Sequence, residues 1–291
     1  DRCRPDIVLS VADRFETIAT AISASYLNIP VAHVQGGEIT GSIDEKVRHA
    51  VTKLSSLHFV ANERAAQRVR MMGEADDTIF VTGCPSIDIA RSVLADSSWM
   101  TTSYLYDRYA GTGARVDIEN RFIVVAQHPV TTEFEDAYEQ MWTTLLAVEK
   151  TGMPSLVFWP NADAGSEATA KAIRVFREQH NPDNMCFFRN LSPEDFLALL
   201  LRCACIVGNS SAGIRECAYL GVPAVNIGSR QEGRERGPNV LDVGYNIDEI
   251  VSAVQHQATR RYPQSTIYGA GDAGMRIAEI LAATSPRIEK K

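Results

Sequence analysis

Three acidic residues in the first part of the chain, Asp13, Glu38 and Asp44, and one histidine further on, His128, are of the types that move protons. Asp13, Glu38 and His128 each follow a short apolar run. Asp13 heads Asp13-Arg14-Phe15-Glu16-Thr17 after a run ending at Val11, where a carboxylate serves either as a helix N-cap or as a group that meets a ligand. Glu38 ends His33-Val34-Gln35-Gly36-Gly37-Glu38, whose paired glycines let the backbone pass close to a neighbour. Ser42-Ile43-Asp44-Glu45 opens a segment with Ile43, Val47, Ala50, Val51 and Leu54 at helical spacing. Ser42 and Glu45 fit a capping box, which leaves Asp44 to pair with Arg48 one turn on, and His49 reads as structural. Carboxylates held close together split their proton affinities, so one acts as acid and another as base. The arrangement requires no metal.

A second set of residues suits an anion. Gly208-Asn209-Ser210-Ser211-Ala212-Gly213-Ile214-Arg215-Glu216 follows a strand-like run and is expected to open a helix that ends at Gly221. Small residues admit a ligand to the backbone, and a helix N-terminus favours phosphate. On one continuous helix, Ser210, Gly213 and Glu216 share a face, which puts a carboxylate below the phosphates, within reach of a ribose diol. A bare Asn-Ser-Ser would be only a cap, but Asn226-Ile227-Gly228-Ser229-Arg230-Gln231-Glu232-Gly233-Arg234 follows the next strand and adds cationic side chains. Gln127-His128-Pro129 and Pro160-Asn161-Ala162-Asp163-Ala164-Gly165-Ser166 occupy the same post-strand position, where the alternatives are a helix cap for Asp163 or Ser166 and a structural role for His128.

The elements that must position these residues alternate between β-rich apolar runs and helix-period segments, the signature of βα units and a parallel sheet. Strands are expected at residues 6–11, 31–35, 57–61 and 78–82, and then at 122–126, 155–159, 186–189, 205–207, 224–227 and 240–243. Residues 97–116 are polar and read as a linker with a helical piece. The chain thus divides into an N-terminal Rossmann-like domain, 1–113, and a C-terminal one, 114–291, with a ligand in the cleft between them. Four strands fall short of the five or six usual in a doubly wound domain. Together with a start at Asp1, without Met, this leads to the expectation that the first domain is truncated at its N-terminus.

Composition excludes several classes. The chain has 291 residues, 45% hydrophobic and 22% charged, which suits two globular domains. A net charge of −7 with scattered Lys and Arg argues against nucleic acid. The longest apolar stretch, 196–207, is interrupted by Arg202 and is shorter than the roughly 20 residues that span a bilayer, so no membrane anchor is expected. The six cysteines (Cys3, Cys84, Cys186, Cys203, Cys205, Cys217) lack zinc-type spacing and mostly sit in apolar runs, which fits a reducing, cytoplasmic setting.

At these residues the sequence resembles the hydrolysing UDP-N-acetylglucosamine 2-epimerases of sialic-acid-type sugar biosynthesis, over about residues 6–243. The resemblance rests on His33 to Glu38 with Ser42 to Glu45 and Arg48-His49-Ala50, Gly83-Cys84-Pro85-Ser86, Gln127-His128-Pro129-Val130-Thr131-Thr132, Pro160-Asn161, Gly208 to Ser211 and Arg215-Glu216. It implies a glycosyltransferase-B-like fold, with UDP held by the second domain and the sugar lying against the first. By position it implies UDP contacts from Arg14, His128, Asn161, Ser210, Ser211, Glu216 and Arg230, and a backbone contact to uracil at Leu191, while Gly213 is a candidate from its place in the small-residue helix start. It implies chemistry at Asp13 and Asp44, no cofactor, and a homo-oligomer, dimer or tetramer. Gln35 stands where some relatives carry Glu, which leaves two readings: the family's glutamate role falls to Gln35 or to Glu38, and Glu38 is either catalytic or only structural.

The reaction expected is elimination of UDP from C1 as a carboxylate removes the C2 proton, followed by addition of water to the glycal, giving UDP and a free 2-epimer sugar. The substrate is UDP-N-acetylglucosamine or a UDP-2,4-diacetamido sugar of legionaminic-type pathways. The alternatives are a glycosyltransferase of the same architecture and a non-catalytic UDP-sugar-binding protein.

Overall fold

The computed structural model describes residues 5–40 and 43–284. In chain order the elements are β1 (Val8–Val11), α1 (Phe15–Tyr26), β2 (Val31–Val34), α2 (Asp44–Leu54), β3 (Leu57–Val60), α3 (Glu63–Met71), β4 (Ile79–Val81), α4 (Pro85–Ala95) and α5 (Thr102–Arg108). There follow β5 (Thr112–Gly113), β6 (Ile123–Ala126), α6 (Ala137–Lys150), β7 (Ser155–Phe158), α7 (Ser166–His180), β8 (Met185–Phe188), α8 (Pro193–Arg202) and β9 (Ile206–Gly208). The last are α9 (Ser211–Ile214), α10 (Glu216–Leu220), β10 (Ala224–Ile227), β11 (Val240–Val243), α11 (Ile247–Gln257) and α12 (Ala273–Ala283).

By contacts the described residues form two units, one of 5–88 with 266–284 and one of 89–265. In the first, β1 to β4 pair in parallel in sequence order, with Val8 opposite Val31, Ala32 opposite Leu57 and His58 opposite Ile79. β2 and β3 read as unbroken buried runs because both faces of a parallel sheet are covered. One face packs Ala32, Val34, Leu57 and Phe59 against Ile277 of α12, and another cluster joins Val60 and Ile79 to Ala65, Ala66 and Val69 of α3. Burying Ile277 contributes about 2 kcal/mol. The N-terminus of α12 is capped from α4, where Asp88 accepts the N–H groups of Ala273 (2.9 Å) and Gly274 (2.7 Å).

The second unit holds a seven-stranded sheet in the order β11-β10-β9-β6-β7-β8-β5. The chain runs outward through β6, β7 and β8 and then returns to place β9 on the other side of β6. The carboxyl ends of β6 and β9 therefore flank the point where strand order reverses, the place where open α/β sheets bind ligands. Its core joins Val125, Val157, Val207 and Val225 to Leu145 of α6, Phe176 of α7 and Val254 of α11.

Two expectations change here. The expected boundary at 113/114 differs from the contact division, which falls within α4 and returns the C-terminal helix to the first unit. The segment read as a linker is packed against the second unit. Trp99, Tyr104 and Tyr109 all donate to buried Asp195 of α8 (3.1, 3.2 and 2.5 Å), and Thr112–Gly113 pairs antiparallel with β8. No helix among the described residues is long and apolar enough to cross a membrane.

Candidate active site

In the first unit the residues after β1 and β2 converge on one buried side chain. Arg48 of α2 is 1% exposed and donates to the Asp13 carboxylate and to the Glu38 carbonyl (2.5 Å). The expectation assigned Arg48 to Asp44, four residues back. The structure gives its guanidinium to Asp13 instead, 35 residues away, a pairing that helical spacing cannot reveal. Asp13 is accordingly an ion-pair partner, while Arg14 holds the N-cap position of α1 with no side-chain cap bond and its own side chain pairs with Glu16.

His33 sets the turn that delivers Asp13. Its Nε2 lies 3.0 Å from the carbonyl of Ala12, which adopts a left-handed φ of 67°, and its Nδ1 lies 3.1 Å from the Thr52 hydroxyl. Burial, the largest influence, lowers its pKa to about 4. The ring is then neutral at pH 7 with its proton on Nε2, because a carbonyl only accepts. Asp13 thus follows a strained residue tied to the core by a buried histidine.

The loop from Gln35 to Glu38 is equally constrained. A Cβ on Gly37 (φ 75°) would lie 2.2 Å from the Ala65 carbonyl oxygen, so only glycine fits. Gln35, also left-handed (φ 69°), donates from Nε2 to Cys84 Sγ at 2.8 Å. Glu38 is 1% exposed. Asp44 is the first residue of α2 and half-buried. The expected capping partner Ser42 lies outside the described residues, and Glu45 accepts the Thr40 N–H at 2.8 Å. The first unit therefore gathers Asp13, Glu38, His33 and Arg48, with Asp44 one turn before Arg48.

In the second unit three post-strand loops meet. After β6, His128 is nearly buried and its Nδ1 accepts the Asn161 N–H at 3.2 Å. An accepting Nδ1 puts the proton on Nε2. Burial and, secondarily, the Arg230 charge lower the ring's pKa to about 3, so at neutral pH it holds no charge and carries its proton on Nε2. After β9, Gly208 (φ 125°) passes so close to Ala126 that a Cβ would sit 2.4 Å from its carbonyl oxygen. After β10, half-buried Arg230 donates from Nη1 to the Asn209 carbonyl at 3.2 Å.

The helix expected to run from Ser210 to Gly221 is broken. α9 ends at Ile214, Arg215 turns at φ −95° and ψ −69°, and α10 runs on to Leu220 before left-handed Gly221. The kink at Arg215 falls between Gly213 and Glu216, so the single helix face expected for Ser210, Gly213 and Glu216 is interrupted there. Ser210 Oγ accepts the Ala212 N–H at 3.4 Å and Ser211 Oγ accepts from Arg215 Nη2 at 3.2 Å. Gly213 is buried where a Cβ would press on Ala224 and Ile206 (3.3 Å each), a position that allows close helix–sheet packing. Glu216 is 6% exposed, with Oε1 3.9 Å from Arg215 Nε and Oε2 buried without a hydrogen-bond donor among the described residues.

Asn161 is exposed. Leu191 is buried and its N–H is taken by Asn190 Oδ1 (3.0 Å), which leaves its carbonyl for any uracil contact. Asn209 and Gln231 were not singled out from the sequence. Their only signal was position, at or after a strand's carboxyl end inside the two anion-type loops. The five cysteines of the described residues are buried thiols outside any disulfide, and burial pushes the Cys205 thiol up to about 12.

Two parallel α/β sheets, the second with a strand-order reversal at its polar loops, place the fold among glycosyltransferase-B-like proteins. A crystal structure of Methanocaldococcus jannaschii UDP-GlcNAc 2-epimerase in complex with UDP-GlcNAc and UDP superposes with a TM-score of 0.78 at 19% identity, over 97% of this chain and 77% of that one. In sequence the chain is 34% identical over 278 residues to the hydrolysing UDP-N,N'-diacetylbacillosamine 2-epimerase of Legionella pneumophila, covering 95% of this chain and 71% of the relative. It is 31% identical to the UDP-N-acetylglucosamine 2-epimerase of Neisseria meningitidis, covering 97% and 72%. The UDP-N-acetylglucosamine 2-epimerase family profile matches residues 1–282, and the chain belongs to that family.

Proposed function

We propose that the protein is a hydrolysing 2-epimerase of a UDP-2-acetamido sugar, with UDP bound by the second unit and the sugar worked on by the carboxylates of the first. The observation that carries the reading is Glu216, a buried carboxylate whose Oε2 meets no donor among the described residues. A buried polar oxygen left in that state is costly, and a ribose diol supplies the O–H donors that relieve it. Beside it, the Ser210–Ser211 turn, the neutral Nε2–H of His128 and the Arg230 guanidinium are the donors for a diphosphate. Asn161 and Arg14 add polar contacts, and the Leu191 carbonyl accepts the uracil N3–H.

In the chemical step, one carboxylate of the Asp13, Glu38 and Asp44 set takes the C2 proton. The C1–O bond breaks with its electron pair leaving on UDP, and a glycal remains. Arg230 stabilises the charge that develops on the leaving diphosphate. Water then adds its oxygen to C1 and loses a proton to solvent, while a second group of the set, protonated as the carboxylic acid, gives its proton to the opposite face of C2; the first carboxyl returns the proton it took to solvent. The products are UDP and the free 2-epimer. The hydrolysing activity of the Legionella relative and the sialic-acid-type motifs support this course, with UDP-N-acetylglucosamine or a UDP-2,4-diacetamido sugar as substrate. Buried cysteines outside any disulfide accord with a reducing, cytoplasmic setting.

Calorimetry tests the carrying observation. Glu216→Gln should weaken UDP binding by about tenfold or more, the worth of a lost charge-assisted hydrogen bond, and abolish discrimination between UDP and 2',3'-dideoxy-UDP. Equal UDP affinity in Glu216→Gln and wild type would overturn the assignment.

A further inference from the structure

Asn209 is wholly buried, and each of its polar groups is used. Its N–H donates to the Ala126 carbonyl at the end of β6 (3.2 Å), and its own carbonyl accepts from Arg230 Nη1 (3.2 Å) and Gln231 Nε2 (2.8 Å). Its side-chain amide grips the backbone of His128 from both sides: Oδ1 accepts the His128 N–H and Nδ2 donates to the His128 carbonyl, each at 2.8 Å. One side chain plus one peptide therefore tie together the loops after β6, β9 and β10.

We propose that Asn209 is a positioning residue that fixes the protonation form of His128 and the direction of the Arg230 guanidinium. The paired amide bonds hold the His128 backbone as a neighbouring strand would. With the backbone fixed, ring Nδ1 stays opposite the Asn161 N–H, 3.2 Å away, and that bond exists only while Nδ1 carries no proton. The ring is thereby kept neutral with Nε2–H outward, and no hydrogen bond to Nε2 occurs among the described residues. Arg230, bonded to the same residue's carbonyl, is aimed by the same scaffold. Donor and cation stay in register without reorganisation when an anion arrives, which is the property electrostatic catalysis needs. Asn209 itself touches no reacting atom. The proposal rests on the reading of these loops as the diphosphate site, but its first readout does not.

The experiment uses the full chain with 15N-labelled histidine, and His128→Gln identifies the ring signals. In wild type, His128 should show the Nε2–H form without titrating between about pH 8 and about pH 5. In Asn209→Ala the ring should exchange between tautomers and titrate within that range, and UDP affinity by calorimetry should fall about tenfold or more. A role confined to tying β6 to β9 would lower the unfolding midpoint and leave the ring signals and UDP affinity unmoved, and that result would overturn the proposal. If Asn209→Ala does not fold, the isosteric Asn209→Asp serves. Its ionised carboxylate faces the His128 carbonyl where Nδ2 donated, so the backbone tie is lost, the ring should titrate at a higher pH than in wild type, and UDP affinity should fall. An unchanged ring in that variant would equally overturn the proposal. Wild type that fails to bind UDP while the ring responds to Asn209→Ala would refute the diphosphate reading and leave the positioning role standing.

Discussion

Asp13→Asn should be a stability mutant before it is a catalytic one. The exchange removes the carboxylate that pairs with the Arg48 guanidinium among the described residues; Arg48 is 1% exposed, while Asp13 itself is 22% exposed. Stranding one member of a buried pair costs 3–5 kcal/mol when both are enclosed. The partial exposure of Asp13 and the neutral oxygen that Asn still offers bring the expected loss down to about 2–4 kcal/mol. Against a typical stability of 5–15 kcal/mol that is a large share. Urea unfolding followed by far-UV circular dichroism measures it, and hydrogen exchange across Val31–Val34 localises it. A double-mutant cycle with Arg48→Met supplies the control: if the loss is a stranded charge, adding Arg48→Met to Asp13→Asn should recover part of it. A loss under about 0.5 kcal/mol, or strictly additive losses in the cycle, would refute the reasoning. UDP affinity, a property assigned to the other unit, should stay within twofold or so of wild type in the folded variant.

The remaining predictions are shorter. Arg230→Ala should lower UDP affinity by about tenfold to a hundredfold in calorimetry at low salt, less at high salt, as loss of a charge-assisted contact requires. Asp44→Asn should abolish turnover in a product assay while leaving UDP affinity nearly intact. His33 and His128, at about 4 and about 3, lie below the unfolded value of about 6.5, so the unfolded chain binds more protons across that window. Stability is then full above about pH 6.5 and falls as pH drops toward 4 and 3, by about 2 kcal/mol for each ring at pH 5. His128→Gln should remove its share of that pH dependence in urea titrations, and a pH profile unchanged by the substitution would count against a buried neutral ring.

The parallel strands were legible because both faces of each sheet are covered, which makes Ile123–Ala126 a continuous apolar run and leaves only His33 to interrupt Val31–Val34. Thr112–Gly113 was not, since two polar-to-neutral residues on an antiparallel edge carry no period, and Trp99, Tyr104 and Tyr109 gave no hint that they share Asp195. Of the site, the loop residues that end each strand could be placed from the rule that ligands sit at carboxyl ends. Partnerships could not. Arg48 was assigned by helical spacing to Asp44, but the turn at Ala12, held by His33, carries Asp13 to it. The break at Arg215 was hidden because no proline between Ser211 and Leu220 marks it.

The central claim is that chemistry occurs at C2 as well as at C1. Turnover of UDP-N-acetylglucosamine, and separately of its 2,4-diacetamido relative, in deuterium oxide with proton NMR of the sugar product tests it most directly. If a carboxylate removes the C2 proton and a solvent-exchanged acid rebuilds the bond, the product carries deuterium at C2 with inverted configuration, and UDP appears in equal amount with free sugar. A glycosyltransferase or simple hydrolase works at C1 alone. A full-intensity C2 proton in the product would therefore contradict the account, however quickly UDP is released.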